Sequence, residues 1–246
     1  ASLGNNYIQN IINQEVSYFA ARENIISAAP VNLVLHTAYN PNGIGMWFNS
    51  INAIVNQLTM LTIILTGAAL LREREHGTIE HLLVMPLNTF QIVMAKISAN
   101  SLIILTAFVL SLFLTIDNAL HVPILGSKGL LIAGTILYLF SVASIGIFLG
   151  TIAQSMAQFA LLVLMLIIPM MMLSGGISPI ENQPDFIQPV TWLLPSRHYM
   201  AFAQAVVFRG AELELVWQEM VIIAGLGLVF FSSSVALFRR SLTLND

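Results

Sequence analysis

Arg72-Glu73-Arg74-Glu75-His76-Gly77-Thr78-Ile79-Glu80-His81 is an island of charge between two stretches that carry none. No Asp, Glu, Lys or Arg occurs from Asn24 to Leu71, nor from Ile97 to Ile116. A chain that crosses a membrane, surfaces, turns and re-enters has this pattern, because charge is costly in hydrocarbon and gathers where the chain emerges. The island is therefore where a soluble partner is expected.

Composition points the same way. Hydrophobic residues make up 57% of the chain and charged ones 9%, with a mean hydropathy of +0.83, whereas soluble domains carry about 25% charged residues. This is the composition of a polytopic membrane protein and excludes a nucleic-acid binder with a basic surface. With no Cys, disulfides and thiolate metal sites are ruled out. No basic n-region precedes an apolar run and a small-residue cleavage site, so no signal peptide is expected.

Hydropathy predicts five spans, near 49–71, 96–116, 129–150, 156–175 and 217–238. Each is long enough to cross a core of ~30 Å. The third and fourth come from an uncharged run, Gly129 to Ile180, that is too long for one span and breaks at Gln154-Ser155. They are expected to form a hairpin with a tight turn. Basic residues set the orientation. With the island inside, the cytoplasmic side holds Arg72, Arg74, Lys96, Arg239 and Arg240 in short segments, and Arg22, Lys128, Arg197 and Arg209 fall outside in longer ones. Residues 1–48 are then a periplasmic remnant of an exterior domain, residues 49–246 are the transmembrane domain, and the C-terminus is cytoplasmic. An exported N-terminal segment without its own signal leads us to expect that a preceding span is missing.

Within residues 1–48, Tyr7, Ile8, Ile11, Ile12 and Val16 recur at helical spacing, and Tyr39-Asn40-Pro41-Asn42-Gly43 signals a turn before the first span. Trp47 and Phe48 suit an interfacial aromatic belt.

The island continues into a segment, 72–95, in which Ile79, Leu82, Leu83, Pro86, Leu87, Phe90 and Met94 fall on one helical stripe with Glu80, His81, Asn88 and Gln91 off it. This predicts a helix along the inner membrane surface, kinked at Pro86. Such a helix, tied to two spans, suits the passing of a push from a cytosolic protein. A solvated loop with stop-transfer charges explains the Arg residues but not the stripe. Arg72, Glu73, Arg74, Glu75, His76, Gly77, Thr78 and Glu80 are the expected coupling residues, Gly77 permitting a tight bend and Thr78 capping the following helix. A metal site at Glu73 and His76, spaced i, i+3 with His81 near, would need a second Glu-x-x-His copy, and there is none. No metal is expected.

Inside the spans, Gly146-x-x-x-Gly150 with Ser141 and Ser144 predicts close helix packing. Asn49, Asn52, Asn56, Gln57 and Thr59 bring polar groups to membrane depth, where they need partners or water, and could line the outer part of a transport path. Met165, Met170 and Met172 flank Pro169; methionine offers an adaptable surface to apolar ligands and equally fills gaps between helices. Phe186, Pro189-Val190 and Leu193-Leu194 beside Trp192 predict a short amphipathic helix in an exterior segment, 176–216, that re-enters the outer interface.

The string REREHGTIEHLLVMPL resembles the E-x-E-x-G-T-x-E-x-L-L-x-x-P signature that follows the second membrane helix of ABC-2 type transporter permeases, the membrane subunits of ATP-driven exporters. Leu173-Ser174-Gly175-Gly176-Ile177-Ser178-Pro179-Ile180-Glu181-Asn182-Gln183-Pro184, followed by Leu194-Pro195 and Arg209-Gly210, is similar to the exterior segment before that family's last helix. Here Gln183 stands where many relatives have Met. The likeness covers residues 40–246 and is nearest to the bacterial multidrug-exporter branch.

The resemblance implies an all-α integral membrane fold: an expected six-helix ABC-2 permease with five helices visible, an interfacial coupling helix and an exterior re-entrant segment. It implies that Gly175, Gly176, Pro179, Glu181 and Pro184 belong to the exterior gate. It also implies cytosolic ABC ATPase partners, homodimerisation or pairing with a related permease, and optional use of a periplasmic adaptor protein. The chain has no G-x-x-x-x-G-K-[ST] loop, so ATP and Mg are expected on the partner ATPase and no cofactor or catalytic residue on this chain. Two other readings stay open: a membrane assembly or channel-like subunit without transport coupling, and an intramembrane enzyme. The latter lacks convergent catalytic groups inside the spans.

Overall fold

The computed structural model describes residues 10–12, 14, 15, 18, 45–76, 88–120, 124–176, 180 and 183–243. Residues 1–43 form one unit, whose described positions are helical, and residues 44–246 form another. All described regular structure in the second unit is helical: α1 (Gly45–Glu75), α2 (Thr89–Ser111), α3 (Lys128–Ile152), α4 (Met156–Leu173), α5 (Gln188–Trp192), α6 (Pro195–Arg209) and α7 (Leu213–Thr243). Five of these, α1, α2, α3, α4 and α7, are long and apolar enough to cross a membrane.

The apolar runs set the helices, and local signals set their ends. α2 begins at Asn88, whose backbone N–H donates to Gln91 Oε1 at 3.0 Å, and continues past Ser111 as a π-helical stretch, Leu112–Ala119. α3 starts where Ser127 Oγ accepts from the Leu130 N–H, as an N-cap should. Only Ala153, Gln154 and Ser155 separate it from α4. α6 ends at Gly210 in the left-handed region (φ 63°), with the Ala211 N–H donating 3.0 Å to Ala205 O, a C-cap that glycine adopts without steric cost.

α3 is the central helix. In its most apolar stretch 67% of residues are buried, against 22% in α2 and in α4. Small side chains explain this: a Cβ on Gly146 would stand 2.8 Å from Ile63 O, and one on Gly150 would stand 2.6 Å from Gly67 O. The backbones of α1 and α3 therefore touch, as the Gly-x-x-x-Gly spacing predicts. On another face Ser234 of α7 donates 2.9 Å to Ser144 O. α6 leans on the same helix, its Tyr199 ring stacked on Tyr138 at 4.0 Å and 6°.

Two boundaries differ from the sequence expectation. Residues 72–75, placed in the connecting segment, form the last turn of α1, and residues 89–95 form the first turns of α2. α1 has 31 residues, ~46 Å at ~1.5 Å per residue, so its charged end clears a hydrocarbon core of ~30 Å without leaving the helix. The stripe expected along an interfacial helix is split as well: Phe90 and Met94 lie on α2, while Ile79 to Leu87 lie outside the described residues.

Candidate functional site at the charged end of the bundle

Three consecutive residues at the end of α1 fasten three other helices. Glu73 forms an ion pair with Lys96 of α2. Arg74 Nη1 donates to Thr151 O at 2.9 Å and to Ala153 O at 3.2 Å, meeting carbonyls that the end of α3 leaves without intrahelical partners. A cation there also faces the negative end of the helix dipole. Glu75 Oε1 accepts from the Met156 N–H at 3.0 Å, placing a carboxylate at the N-terminus of α4, where the dipole favours it. Ser155 Oγ and Gln158 Oε1 complete that end, accepting from Gln158 N at 3.3 Å and Gln154 N at 2.8 Å. His76 Nδ1 donates to Arg72 O at 2.7 Å.

Consecutive helical positions point about 100° apart, which is why residues 73, 74 and 75 reach different neighbours. Arg72, Glu75 and His76 are exposed, whereas Glu73 and Arg74 are half-buried. Gly77, Thr78 and Glu80 of the expected coupling set lie outside the described residues.

At the other end of the bundle, the polar residues of α1 separate. Asn49 is exposed, Asn52 is buried and Asn56 half-buried. Asn52 Nδ2 donates to Gly176 O, so it ties α1 to the bend that ends α4, where Gly175 has φ 88°. Gln183, the departure from the family pattern, is buried and donates through Nε2 to Leu173 O at 3.3 Å. Pro184 is exposed and its carbonyl accepts from Ile187 N at 2.9 Å. Pro179 and Glu181 lie outside the described residues. The three methionines do not converge: Met170 is in the core, while Met165 and Met172 sit on the opposite, exposed face of α4.

Two features escaped the sequence reading. One is an apolar groove of about 280 Å³ between α1 and α2, lined by Ile54, Gln57, Leu58, Leu61, Leu65, Ile103, Ile104, Ala107, Phe108 and Ser111. Of the residues expected to line a path, Gln57, next to Asn56, lines it, and the Asn and Met residues do not. The other is α6. Its Tyr199 hydroxyl meets Thr135 Oγ1 of α3 at 2.7 Å and its ring stacks on Tyr138, whose hydroxyl meets Thr59 of α1, so α6 is pinned to α3 inside the bundle.

Five apolar helices of crossing length, a glycine-mediated α1–α3 contact and a clamp of charge at one end define a polytopic membrane protein whose first four spans are tied together at one end. Residues 1–236 match the model of the family described as ABC-2 family transporter protein, and the chain belongs to that family. It is 47% identical over 242 residues to an inner membrane transport permease, YhhJ, of Escherichia coli K12, covering 98% of this chain and 65% of that protein. It is 29% identical over 245 residues to YbhR of the same organism, a probable multidrug ABC transporter permease, covering 98% of this chain and 64% of that one. With YbhS, likewise named a probable multidrug ABC transporter permease, it shares 30% over 175 residues, which is 70% of this chain and 46% of that protein. The chain thus spans less than two thirds of the length of these curated relatives.

Proposed function

We propose that this chain is the membrane-spanning part of an ABC exporter subunit that moves an apolar or amphipathic compound, drug-like or lipid-like, out across a bacterial inner membrane. ATP and Mg act on separate cytosolic ATPase subunits. The observation that carries the reading is the clamp at residues 73–75: one turn of α1 holds α2, the end of α3 and the start of α4. Force applied to residues 73–75 reaches α1, α2, α3 and α4 through direct contacts.

In this reading the Arg72–Lys96 stretch and the C-terminus face the cytosol, and residues 1–48, α5 and α6 face the periplasm. Nucleotide binding favours one state of the ATPase pair, and the permease, paired with itself or with a related subunit, follows because its own states differ in affinity for that partner. The apolar α1–α2 groove supports an apolar cargo, since eight of its ten lining residues are apolar. The names of the multidrug relatives agree with that cargo class. The test is transport in vesicles reconstituted with the full-length protein, with and without its ATPase subunit, using a fluorescent amphipathic cation as probe. ATP-dependent accumulation is expected only with both present. Equal movement without the ATPase would overturn the reading in favour of a channel-like subunit.

A further inference from the structure

The apolar groove between α1 and α2 has one polar level. The Glu73–Lys96 ion pair sets these two helices side by side, so height along each can be counted from it. At ~1.5 Å per residue, Gln57 stands ~24 Å from Glu73 along α1 and Ser111 stands ~22 Å from Lys96 along α2. Both line the groove, and they do so at about the same height. Nearer the charged end its rim is Leu65 and Ile103, both exposed, and its floor is Leu58, Ile104 and Phe108, all buried. A hydrocarbon core of ~30 Å that starts at Leu71 extends ~9 Å beyond Gln57. Gln57 is exposed, and among the described residues nothing hydrogen-bonds to its amide or to the Ser111 hydroxyl.

An amide left in hydrocarbon without a partner is costly, and an apolar groove draws in little water. The partner therefore comes from whatever fills the groove. A phospholipid of the bilayer meets the need poorly: its polar groups sit outside the hydrocarbon core, and only chain methylenes reach the level of Gln57. We propose that the groove binds an amphipathic compound whose alkyl body lies along Leu61, Leu65 and Ile103 and whose end carries an uncharged amide, ester or hydroxyl group hydrogen-bonded to Gln57 and Ser111. The rise of ~12 Å from Leu65 to Gln57 sets the length of that body. The Gln57 amide offers two donors and an acceptor, and the Ser111 hydroxyl can donate or accept, so each of these groups finds a match. The site deepens the exporter reading, and the compound's being cargo rests on that reading. Gln57 makes the selection, because the apolar lining discriminates only by shape.

Photolabelling in lipid nanodiscs reads this, with the full-length protein and no ATPase subunit. The probe is dodecanamide carrying a diazirine on its chain, and the control is the same diazirine-bearing chain without the amide; peptide mass spectrometry locates the labelled residues. In wild type the amide probe is expected to label residues 54–65 and 103–111 and to be displaced by unlabelled dodecanamide. The control is expected to spread as well over the exposed face of α4, at Leu161, Met165 and Ile168. Gln57→Leu is expected to lower groove labelling by the amide probe about fivefold, the loss of one hydrogen bond, and to leave the control unchanged. Ala107→Phe, which fills the groove, is expected to lower both there. Groove labelling by the amide probe no stronger than on α4, or undiminished in Gln57→Leu, would overturn the proposal. Neither nucleotide nor transport enters the measurement: failed vesicle transport with the labelling intact counts against the exporter reading alone, and transport without groove labelling counts against this site alone.

Discussion

The two ends of the bundle are held by different physics. At the charged end, Glu73, Arg74 and Glu75 reach outward from one helix turn to an ion pair and to backbone groups at two helix ends, in a place that water can enter. At the other end, α6 is buried: Tyr199 and Phe202 are 1% and 0% exposed, and its polar atoms meet Thr135 and Glu219 inside the structure. Interactions of the first kind are individually small and can be remade as the end moves. Those of the second combine dispersion with buried hydrogen bonds and resist rearrangement. In the function proposed above, the first end is the one that is pushed and the second the one that braces.

The largest effect is expected at the braced end. Tyr199→Ala removes a ring stacked on Tyr138 and leaves a cavity, costing about 3–5 kcal/mol as for other large buried aromatics; a thermal unfolding series in detergent measures it. A smaller loss is expected from Arg74→Ala, which strips two carbonyls at the end of α3 of a charged donor at a cost of about 2 kcal/mol. It should raise hydrogen exchange around Thr151–Gln158 before it changes global stability. Smallest is the Glu73–Lys96 pair: a double-mutant cycle through Glu73→Lys, Lys96→Glu and the swapped pair should give a coupling of about 1 kcal/mol or less. If Arg74→Ala proves costlier than Tyr199→Ala, the distinction between a pliant and a rigid end fails.

The spans were legible because twenty or so apolar residues have few places to go but a bilayer, and the three-residue α3–α4 turn because polar Gln154-Ser155 interrupts an otherwise uncharged run. The Gly146-x-x-x-Gly150 contact was legible as a packing face, although nothing local names Gly67 as what it packs against. The clamp was half visible. Charge at residues 72–75 marked the end of a span, but the partners of Arg74 and Glu75 lie 77 to 81 positions further on, a separation that no periodicity encodes. α6 stayed hidden because Ser196, Arg197, His198 and Gln204 make it look polar; Ser196, Arg197 and His198 find their partners on α4, α5 and α7, which the local sequence does not name. The methionines misled as a set, since positions 165 and 172 are seven apart and share a face, while Met170 turns the other way.

Glu75 tests the central claim most directly, since it ties the charged end of α1 to the first residue of α4. ATP hydrolysis and export should be measured together in the same vesicles, reconstituted with the ATPase subunit, for wild type and Glu75→Lys. Replacing a carboxylate at a helix N-terminus by a cation is expected to cut export per ATP by about tenfold, the equivalent of ~1.4 kcal/mol, while hydrolysis continues. Export per ATP equal to wild type, at normal protein levels, would contradict the account.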